Sequence, residues 1–374
     1  MHLFALLLCL PIFFGAILPL KKSWRWKAML SLVLLVFAFK FQVTMFLGGG
    51  HFLSPHLPGW LILFLGWGYG VVLFYSAFML LWLVIQGILL PFKKFSSTRR
   101  NQANLGLLLS AILCTSVALY NGLSMPQEHD ITLSIQNLPE QAKGCRVAVL
   151  TDLHIDNITG RNRLHVIVEK TMAWKPDLIL LVGDFVDGTV SERLEELRPL
   201  AGLEAPLGVW GVPGNHEYYF GFQEWMNALE SLGIKILLNE STLLSNGVAV
   251  AGIVDPAAER TGETPPDVKS ALEGLSAETP VLLMSHQPRM APEAAMHGVD
   301  AVFSGHTHGG MLVGMDLAVA ALNSGFVSGE YRLAPKTRLF VCNGTGIWKG
   351  FPLRLGHPAE MLFVTLTTVA QQGD

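Results

Sequence analysis

The stretch Ser304-Gly305-His306-Thr307-His308-Gly309-Gly310 places two histidines two residues apart between glycines. Residues 299–303, directly before it, are predicted to form a buried strand. Side chains two apart on an extended segment point to the same side, so both imidazoles would face one point. Glycine lets the backbone approach whatever lies there, and histidine is the commonest metal ligand. A polar turn explains one such motif equally well, so the metal hypothesis depends on further ligands converging there.

Composition divides the chain into two regions. Its 374 residues are 51% apolar and only 15% charged, against a charged share of about 25% in soluble proteins. Nearly all of the charge lies after about residue 123, and the segment before it is mostly Leu, Phe, Val, Trp and Gly. The net charge of −3 is small and no basic patch stands out, which argues against a nucleic-acid partner.

The first region holds four apolar runs, residues 3–20, 29–47, 61–90 and 105–120. A membrane span needs about 20 apolar residues, so a bundle of about four transmembrane helices is predicted over residues 1–123. The third run is long for one upright helix and short for two spans with a turn, and we interpret it as one tilted helix. Residues 124–374 form the predicted globular domain.

Positively charged residues orient the predicted bundle. They cluster between the first and second runs and between the third and fourth, whereas residues 48–59 contain neither Lys nor Arg. The residues concerned are Lys21, Lys22, Arg25, Lys27, Lys93, Lys94, Arg99 and Arg100. Basic loops stay in the cytoplasm, so everything after about Asn121 is expected on the periplasmic or extracellular side of the plasma (inner) membrane. A signal peptide is a weak alternative for the first run, because its basic residues follow the apolar run.

Lys40 is a charged residue inside the second apolar run. It lies about seven residues, or roughly 10 Å of helix, from the outer end of that run. We therefore expect the side chain to snorkel to the membrane surface. A functional charge inside the bundle is the alternative.

The four cysteines are too few for a disulfide framework. Cys9 and Cys114 lie in apolar runs of the first region. Cys145 and Cys342 lie in strand-like segments of the second region, where they could either form a disulfide or remain buried free thiols.

Five short apolar segments of the second region each run directly into polar residues. Each segment is typical of a buried strand, and the spacing of residues 161–174 predicts a helix between the first two. Apolar strands that alternate with helices predict an α/β fold with sheets covered by helices. Ligand sites in such sheets gather beyond the carboxyl ends of the strands. The polar residues at these ends are Asp152, His154, Asp184, Asn215, His286, His306 and His308.

These seven oxygen and nitrogen donors predict a metal site, although each residue alone has an ordinary explanation such as a helix cap. The set contains no thiolate, so it is not that of a structural zinc finger. Mixed carboxylate, amide and imidazole ligands suit Mn, Fe or Zn, with Mg an option. Seven ligands exceed what one tetrahedral ion needs. If one carboxylate bridges, they divide between two divalent ions about 3.5–4 Å apart.

The same residues resemble those of a known family. The motifs are D-x-H over 152–154, G-D-x-x-D over 183–187, G-N-H-E over 214–217, His286 alone, and G-H-T-H over 305–308. In this order they resemble the calcineurin-like metallophosphoesterases, over roughly residues 143–366. Segments 344–346, 352–356 and 360–366 resemble the tail of the bacterial membrane-associated branch. The resemblance implies a four-layer α/β/β/α sandwich with a dinuclear metal centre.

The resemblance also implies a role for each residue. Asp152, His154 and His308 would hold one metal ion, Asn215, His286 and His306 the other, and Asp184 would bridge both. His216 would not be a ligand; it would protonate the leaving oxygen or stabilise the transferring phosphoryl group. Asp187 would orient His216. Glu217 would either orient a ligand or act as a charge at a helix N-terminus.

Two positions depart from relatives in this family. Protein serine/threonine phosphatases carry Arg directly after the second Asp of G-D-x-x-D, where this chain has Gly188. Without that bidentate phosphate clamp, phosphoprotein substrates are disfavoured. Met311 stands where relatives often have Gln, which leaves metal binding intact and could alter the substrate pocket.

The segment 311–326 is unusually apolar for a loop beside a metal site. A helix packed on the sheet is the expected explanation. The alternative is an apolar rim that touches the bilayer or an acyl chain.

Together these patterns predict a membrane-anchored, metal-dependent phosphoesterase with its catalytic domain outside the cytoplasm, in contact with membrane lipids. It would hydrolyse a phosphodiester or phosphomonoester by attack of a metal-bridging hydroxide, on a lipid-linked or envelope-derived substrate. One alternative is a lipid pyrophosphatase of the UDP-diacylglucosamine hydrolase type, whose cytoplasmic nucleotide substrate conflicts with the outward orientation. Another is a non-enzymatic membrane sensor with a metal site, against which the complete ligand set argues.

Overall fold

The computed structural model describes residues 2–49, 53–89 and 96–369. The chain divides into two compact units. Unit 1 comprises Met1–Leu123 and Lys349–Leu353, and unit 2 comprises Ser124–Trp348 and Arg354–Asp374. A short segment late in the chain therefore belongs to the same unit as the N-terminal helices.

Helices make up most of the described part of unit 1. They are α1 (His2–Ile12), α2 (Trp24–Ala38), α3 (Lys40–Gly48), α4 (Gly59–Leu89) and α5 (Ser97–Leu123), with a π-helical turn (Phe13–Ile17) after α1. A helix satisfies its own backbone hydrogen bonds, which is why long apolar segments adopt it away from water. The third apolar run forms one helix of 31 residues, α4, as predicted.

The described residues contain fewer helices of spanning length than the four spans predicted. α4 and α5 are long and apolar enough to cross a membrane, and α2 with α3 would add a third if that bent pair is one span. The apolar helix over His2–Ile17 is shorter than these. Two apolar helices of spanning length are therefore shown, and a bundle of four spans stays a prediction.

The second apolar run is broken, whereas a single span was predicted. α2 and α3 are bent by 78° around Phe39, whose φ of −96° and ψ of 30° lie outside the helical region. Lys40 begins α3, is only 2% exposed, and donates from Nζ to the carbonyl oxygen of Gly350 at 2.5 Å. The prediction that Lys40 snorkels to the membrane surface is wrong, because an acceptor inside unit 1 holds its ammonium group.

Two six-stranded mixed sheets form the frame of unit 2. The strands are β1 (Gln127–Ile135), β2 (Arg146–Leu150), β3 (Leu178–Val182), β4 (Val209–Val212), β5 (Lys235–Ile236), β6 (Glu240–Leu243), β7 (Ala249–Gly252), β8 (Val281–Met284), β9 (Ala301–Ser304), β10 (Gly329–Arg332), β11 (Arg338–Val341) and β12 (Glu360–Thr368). The sheet orders are β1-β12-β2-β3-β4-β5 and β10-β11-β9-β8-β7-β6. β2, β3 and β4 run parallel, as do β7, β8 and β9, so each set has its carboxyl ends at one edge.

Apolar side chains of both sheets meet in one core. Val147, Leu180 and Val212 of the first sheet cluster with Leu282 and Phe303 of the second, and none of them is accessible to solvent. Burial stabilises the fold by roughly 25 cal/mol per Å² of apolar surface removed from water. The core therefore holds the ends of the parallel strands in fixed positions, where the predicted ligands follow.

Cys145 and Cys342 lie in this core as buried free thiols. Burial raises the pKa of the Cys145 thiol to about 12, and it also raises the pKa of the Cys342 thiol. Of the two states left open by the sequence, the structure has the unpaired thiols.

Helices cover the sheets of unit 2. They are α6 (Arg161–Ala173), α7 (Val190–Leu197), α8 (Asn215–Tyr219), α9 (Phe222–Ser231), α10 (Ala258–Thr261), α11 (Val268–Ala271), α12 (Ala291–Met296) and α13 (Asp316–Leu322). α6 buries Leu164, Ile167 and Val168 on the face that the sequence spacing predicted. α11 and α12 contribute Val268 and Ala291 to a second core against the other face of the second sheet. The α/β class predicted from the sequence is confirmed.

Candidate metal centre

The predicted ligands lie in the turns that follow the strands. Asp152 and His154 follow β2, Asp184 follows β3, Asn215 begins α8 after β4, His286 follows β8, and His306 and His308 follow β9. The strand register keeps these ends level, because Leu150 pairs with Leu181 and Val182 pairs with Val212. Side chains from distant parts of the chain can therefore meet beyond one edge of the sheets.

Five of these residues have a left-handed backbone conformation that residues other than glycine rarely adopt. They are Asp152 (φ 50°), His154 (φ 43°), Asp184 (φ 53°), His306 (φ 69°) and His308 (φ 49°). Hydrogen bonds between turns hold this geometry. The N–H of Asp152 donates to the carbonyl of Gly183, and that of His154 donates to the carbonyl of Asp184, each at 3.0 Å. Such strain persists only where the surroundings enforce it, and it concentrates at functional sites.

Asp152, His154 and His308 form a first donor group, with one ligand atom of each within 4.8 Å of the others. Nε2 of His154 lies 3.0 Å from Nε2 of His308, which lies 3.6 Å from Oδ1 of Asp152. All three residues are buried, and Oδ2 of Asp152 has no hydrogen-bond partner among the described residues. Buried polar atoms are rarely left unsatisfied, so this convergence of nitrogen and oxygen donors fits a divalent cation.

Asp184, His286 and His306 form a second donor group within the same 4.8 Å limit. Nε2 of His286 lies 3.2 Å from Oδ2 of Asp184. Nδ1 of His286 lies 2.8 Å from the carbonyl oxygen of Val182 and donates to it, so Nε2 is the nitrogen that can serve as a ligand. That Nε2 is buried without a hydrogen-bond partner in the described part of the chain. A cation therefore fits this group as well.

Asp184 connects the two groups, and it also lies within 4.8 Å of ligand atoms of His154 and His216. Its Oδ2 atom lies 3.2 Å from Nε2 of His286 and 3.6 Å from Nε2 of His154. Burial alone would raise the pKa of Asp184, but the nearby imidazoles, His286 first, outweigh it and hold this pKa well below its usual range. One ionised carboxylate thus reaches donors of both groups.

Asn215 lies beside Asp184 and is buried. Both of its chain neighbours contact that carboxylate. The N–H of His216 donates to Oδ1 of Asp184 at 2.9 Å, and a Cβ atom on Gly214 would lie only 2.2 Å from the same oxygen. The structure therefore brings all seven predicted ligands to one place.

His216 and Asp187 form a hydrogen-bonded pair beside these groups. Nδ1 of His216 lies 2.5 Å from Oδ1 of Asp187, and Nε2 of His216 lies 3.9 Å from Oδ2 of Asp184. Burial alone would lower the pKa of His216, but the carboxylates of Asp184 and Asp187 raise it to about 9. Because Asp187 engages Nδ1, the ring presents Nε2 to the centre of the site.

Asp187 has a second partner that sequence reasoning missed. Its Oδ1 atom also lies 3.1 Å from Nδ1 of His154, whose Nε2 is then left to face His308. A carboxylate that accepts from one ring nitrogen fixes the tautomer and orientation of a ligand histidine. The G-D-x-x-D spacing was the only available signal, and spacing does not show which rings a carboxylate reaches.

Glu217 holds the backbone of the turn that carries Asp184. Its carboxylate accepts hydrogen bonds from the N–H groups of Asp184 (3.0 Å), Phe185 (2.8 Å) and Gly214 (2.7 Å). The bond from Gly214 caps the N-terminus of α8. Glu217 therefore combines the two roles left open by the sequence, supporting a predicted ligand and capping a helix.

Arg354 contacts the site although the sequence assigned it no role. Its Nη2 atom lies 3.1 Å from both Nδ1 of His308 and the carbonyl oxygen of Gly346. Burial, together with His154 and Arg354, holds the pKa of His308 well below its usual range, so this ring stays neutral as a ligand must be. Its position in the segment 352–356 was the only signal, and a contact across 46 residues follows only from the tertiary fold.

The helix of the apolar segment 311–326 does not pack on the sheet as expected, although Leu312 is buried and Phe326 packs against the second core. Its helix α13 is short, and none of the residues Asp316–Leu322, all of them described, is buried. Leu317 is 77% exposed and Leu322 is 80% exposed. α13 begins beside the glycines that follow His308, since a Cβ atom on Gly310 would lie 2.5 Å from Cα of Asp316. The expectation of a packed helix is wrong, and an exposed apolar rim borders the site instead.

Close backbone approach explains the glycine of the G-H-T-H motif. A Cβ atom on Gly305 would lie 2.1 Å from Oδ2 of Asp152 and 2.9 Å from Cβ of Thr151. Contacts below 3.0 Å are not tolerated, so a side chain here must displace Asp152.

We expect Gly305→Ala to weaken Mn²⁺ binding by about 10–100-fold, the range found when the surroundings of a metal ligand are disturbed. Titration of the full-length protein with Mn²⁺ against a fluorescent chelator measures this. Gly202→Ala is the control, because its added Cβ would meet only Val168 at an ordinary 3.5 Å. Equal affinities for the two variants would contradict the role assigned to Gly305.

Comparison with known proteins supports these observations. A model of the calcineurin-like phosphoesterase family matches residues 145–310. A Helicobacter pylori protein named "uncharacterized metallophosphoesterase" is 31% identical over 268 residues, which cover 71% of this chain and 71% of that protein. A Danio rerio "transmembrane protein with metallophosphoesterase domain" is 33% identical over 276 residues, 71% of this chain and 62% of the relative. The Bos taurus protein of the same name is 32% identical over 260 residues, 66% of this chain and 58% of the relative.

The two vertebrate relatives are longer than the part this chain matches, whereas the bacterial relative is covered over more than two thirds of its length. The matched family model ends at Gly310, within the stretch that carries His306 and His308. Similarity at this level, joined to ordered motifs that converge on one pair of donor groups, shows that the chain belongs to the calcineurin-like phosphoesterase family.

Proposed function

We propose that this protein is a membrane-bound, metal-dependent phosphoesterase that hydrolyses a phosphodiester or a phosphomonoester. One observation carries the proposal: the carboxylate of Asp184 reaches a histidine of each donor group, at 3.2 Å and 3.6 Å. Membership of a metallophosphoesterase family supports the same class of reaction. We assign residues 124–374 to the catalytic domain, with a four-layer α/β/β/α arrangement, and residues 1–123 to the multi-pass membrane region.

The ligand assignment follows the two donor groups. One divalent ion is assigned to Asp152, His154 and His308, the other to His286 and His306, and Asp184 is assigned to both. Asn215, buried beside Asp184, is added to the second ion on the family resemblance. Two bound ions would acidify a water molecule and neutralise charge on the phosphoryl oxygens. The donors are oxygen and nitrogen atoms only, which suits Mn, Fe or Zn, with Mg also compatible.

His216 supplies the proton that an alkoxide leaving group requires. Its Nδ1 atom is engaged by Asp187, so Nε2 is the nitrogen that faces the substrate. Asp187 keeps the ring in one orientation and stabilises its protonated form. Phe220 and Trp348 pack around the same ring, with centroids 6.1 Å and 6.4 Å away, and limit its access to water.

A substrate panel tests the class of reaction. Full-length protein would be stripped of metal, reloaded with a defined ion, and assayed on phosphomonoesters, phosphodiesters and lipid pyrophosphates. Metal-dependent turnover of a monoester or diester supports the proposal. Turnover confined to lipid pyrophosphates would favour the pyrophosphatase alternative. Metal binding without turnover of any class would favour a sensor.

We place the catalytic domain outside the cytoplasm, at the plasma (inner) membrane. The support is the distribution of Lys and Arg in the sequence and two apolar helices of spanning length. Two relatives are also named transmembrane proteins. A reporter that is active only outside the cytoplasm, fused after Asp374, tests the orientation. Activity of a cytoplasmic reporter instead would reverse it and revive the pyrophosphatase alternative.

The exposed rim of α13 supports a substrate with an acyl chain. Leu317 and Leu322 present apolar surface beside the turn of His308, and fully burying one such side chain is worth about 1.5–3 kcal/mol. Gly188 stands at the position where phosphoprotein phosphatases carry Arg. Its φ of 146° is one that residues other than glycine rarely adopt. A lipid-linked phosphoester therefore fits the site better than a phosphoprotein.

We expect Leu317→Ser combined with Leu322→Ser to lower kcat/KM for a long-chain lipid phosphoester in mixed micelles by about a hundredfold or more, since the two lost contacts together remove about 3 kcal/mol or more. Turnover of a short water-soluble diester should stay within about twofold. Met296→Ser is the control, because Met296 is as exposed (80%) but lies on α12. Equal losses on both substrates would argue against an acyl-chain contact.

A further inference from the structure

Lys349–Leu353 is a segment of the C-terminal half of the chain that packs within unit 1. Nζ of Lys40 donates to the carbonyl oxygen of Gly350 at 2.5 Å, and the ring of Tyr69 meets that of Phe351 edge-on, with centroids 6.1 Å apart. Nζ of Lys349, itself only 2% exposed, lies 3.3 Å from Oγ of Ser54. The segment is therefore held by polar and aromatic contacts from three parts of the helical unit.

α4 is shaped to receive this segment. A Cβ atom on Gly66 would lie 2.9 Å from Cγ of Pro352, and one on Gly70 would lie 2.5 Å from a methyl group of Leu353. These two glycines are four residues apart and lie on the same side of the helix. Small residues at such spacing allow close approach of another part of the chain. Gly87, on the same helix, has no atom within 4 Å of its added Cβ.

Both chain neighbours of the segment contact the catalytic site. The ring of Trp348 meets that of His216 edge-on, with centroids 6.4 Å apart. Arg354 contacts Nδ1 of His308 at 3.1 Å. Only five residues separate Trp348 from Arg354, so the position of the segment limits where both can lie.

Lys40 is the polar group that holds the middle of the segment. Its side chain is 2% exposed, and its Nζ atom lies 4.7 Å from the ring centre of Phe41 and 5.6 Å from that of Tyr69. Burial of an ammonium group is costly unless it is hydrogen-bonded, and a buried charge among apolar helices usually serves a function. The carbonyl of Gly350 and the two aromatic faces are the groups that compensate it.

We propose that Lys40 is a positioning residue of the phosphoesterase: by holding Gly350 it fixes the segment Lys349–Leu353, and with it Trp348 at His216 and Arg354 at His308. The inference rests on the proposed function, since it gives these two contacts a catalytic purpose. It also gives the helical unit a role beyond anchoring, because Lys40 holds the segment through the carbonyl oxygen of Gly350.

The test compares Lys40→Met with Lys40→Arg in the full-length protein in detergent. Hydrogen–deuterium exchange of peptides covering residues 344–358 and the affinity for Mn²⁺ are measured together with kcat and KM. We expect Lys40→Met to increase deuterium uptake in 344–358 and to lower Mn²⁺ affinity or kcat by about tenfold, while KM changes little. Lys40→Arg keeps a donor, so its deuterium uptake in 344–358 and its Mn²⁺ affinity and kcat should stay close to those of the wild type. Lys27→Met removes a half-buried lysine that donates to the carbonyl of Leu18, far from the segment, and should match the wild type.

A second pair of variants reaches the segment from α4. Gly66→Leu places a side chain where Pro352 lies, whereas Gly87→Leu places the same side chain in open space. We expect only Gly66→Leu to reproduce the effects of Lys40→Met. If Lys40→Met does not fold, its deuterium uptake will rise throughout α4 and α5. The Gly66→Leu and Gly87→Leu pair then tests the positioning role of the segment instead.

The outcomes separate this inference from the proposed function. Wild-type uptake in 344–358 and wild-type Mn²⁺ affinity in both Lys40→Met and Gly66→Leu would overturn the positioning role. Absence of phosphoesterase turnover in the wild-type protein would overturn the proposed function, and deuterium uptake and metal affinity would still decide the role of Lys40.

Discussion

Replacing Asp184 by Asn is expected to lower metal-dependent cleavage of a chromogenic phosphodiester by about a thousandfold or more. Asn keeps an oxygen that can accept from the N–H of His216, a bond of 2.9 Å, so the turn should survive. The neutral amide has no anionic oxygen to replace Oδ2 of Asp184, which lies 3.6 Å from Nε2 of His154 and 3.2 Å from Nε2 of His286. The two donor groups then lose the charge that they share, and both metal ions bind more weakly.

The measurement pairs turnover with bound metal determined by mass spectrometry. Asp255→Asn is the matched control, because Asp255 is also fully buried and accepts from the N–H of Ala257 at 2.8 Å, but belongs to neither donor group. Its metal content should equal that of the wild type. Wild-type turnover in Asp184→Asn would refute the metal-centre assignment outright.

Replacing His216 by Gln is expected to lower kcat by about 10²–10⁴-fold for a diester with an alkyl leaving group, the range for loss of a general acid. The effect should shrink to less than about tenfold for a p-nitrophenyl ester, because p-nitrophenolate leaves without a proton. The reason is geometric: Asp187 engages Nδ1 at 2.5 Å, so Nε2 is the atom that would deliver the proton.

Bound metal should be unchanged in His216→Gln, which separates this variant from a ligand variant. His165→Gln, in α6, provides the control with the same substitution at an exposed position. Equal losses on the alkyl and p-nitrophenyl esters would show that His216 stabilises the transferring phosphoryl group and does not protonate the leaving oxygen. Loss of metal from the variant would instead make His216 a ligand.

Local patterns were sufficient for the elements that carry the site. The apolar runs before Asp152, Asp184 and His306 have the composition of strands buried on both faces, and each is a strand in the structure. The apolar run over residues 61–90 likewise forms one helix. These predictions succeed because strand and helix depend on the side chains within a few residues of one another.

Patterns failed where the partner lies far along the chain. Lys40 was expected at the membrane surface, but its acceptor, Gly350, is 310 residues away. Residues 311–326 were expected to pack on the sheet because they are apolar, yet α13 leaves Leu317 and Leu322 exposed. Hydropathy measures the preference of a side chain for burial and does not show whether a surface is available to bury it.

The sequence by itself determined the α/β class, the apolar N-terminal region and the set of side chains at the strand ends, because periodicity and composition depend on neighbouring residues. Only the tertiary structure decided how those side chains meet. It brought Asp184 to two histidines from different turns, gave Asp187 a second ring to orient, and placed Arg354 at His308. Such contacts join residues that are far apart in sequence, and they form where neighbouring strands end at one edge of the sheets.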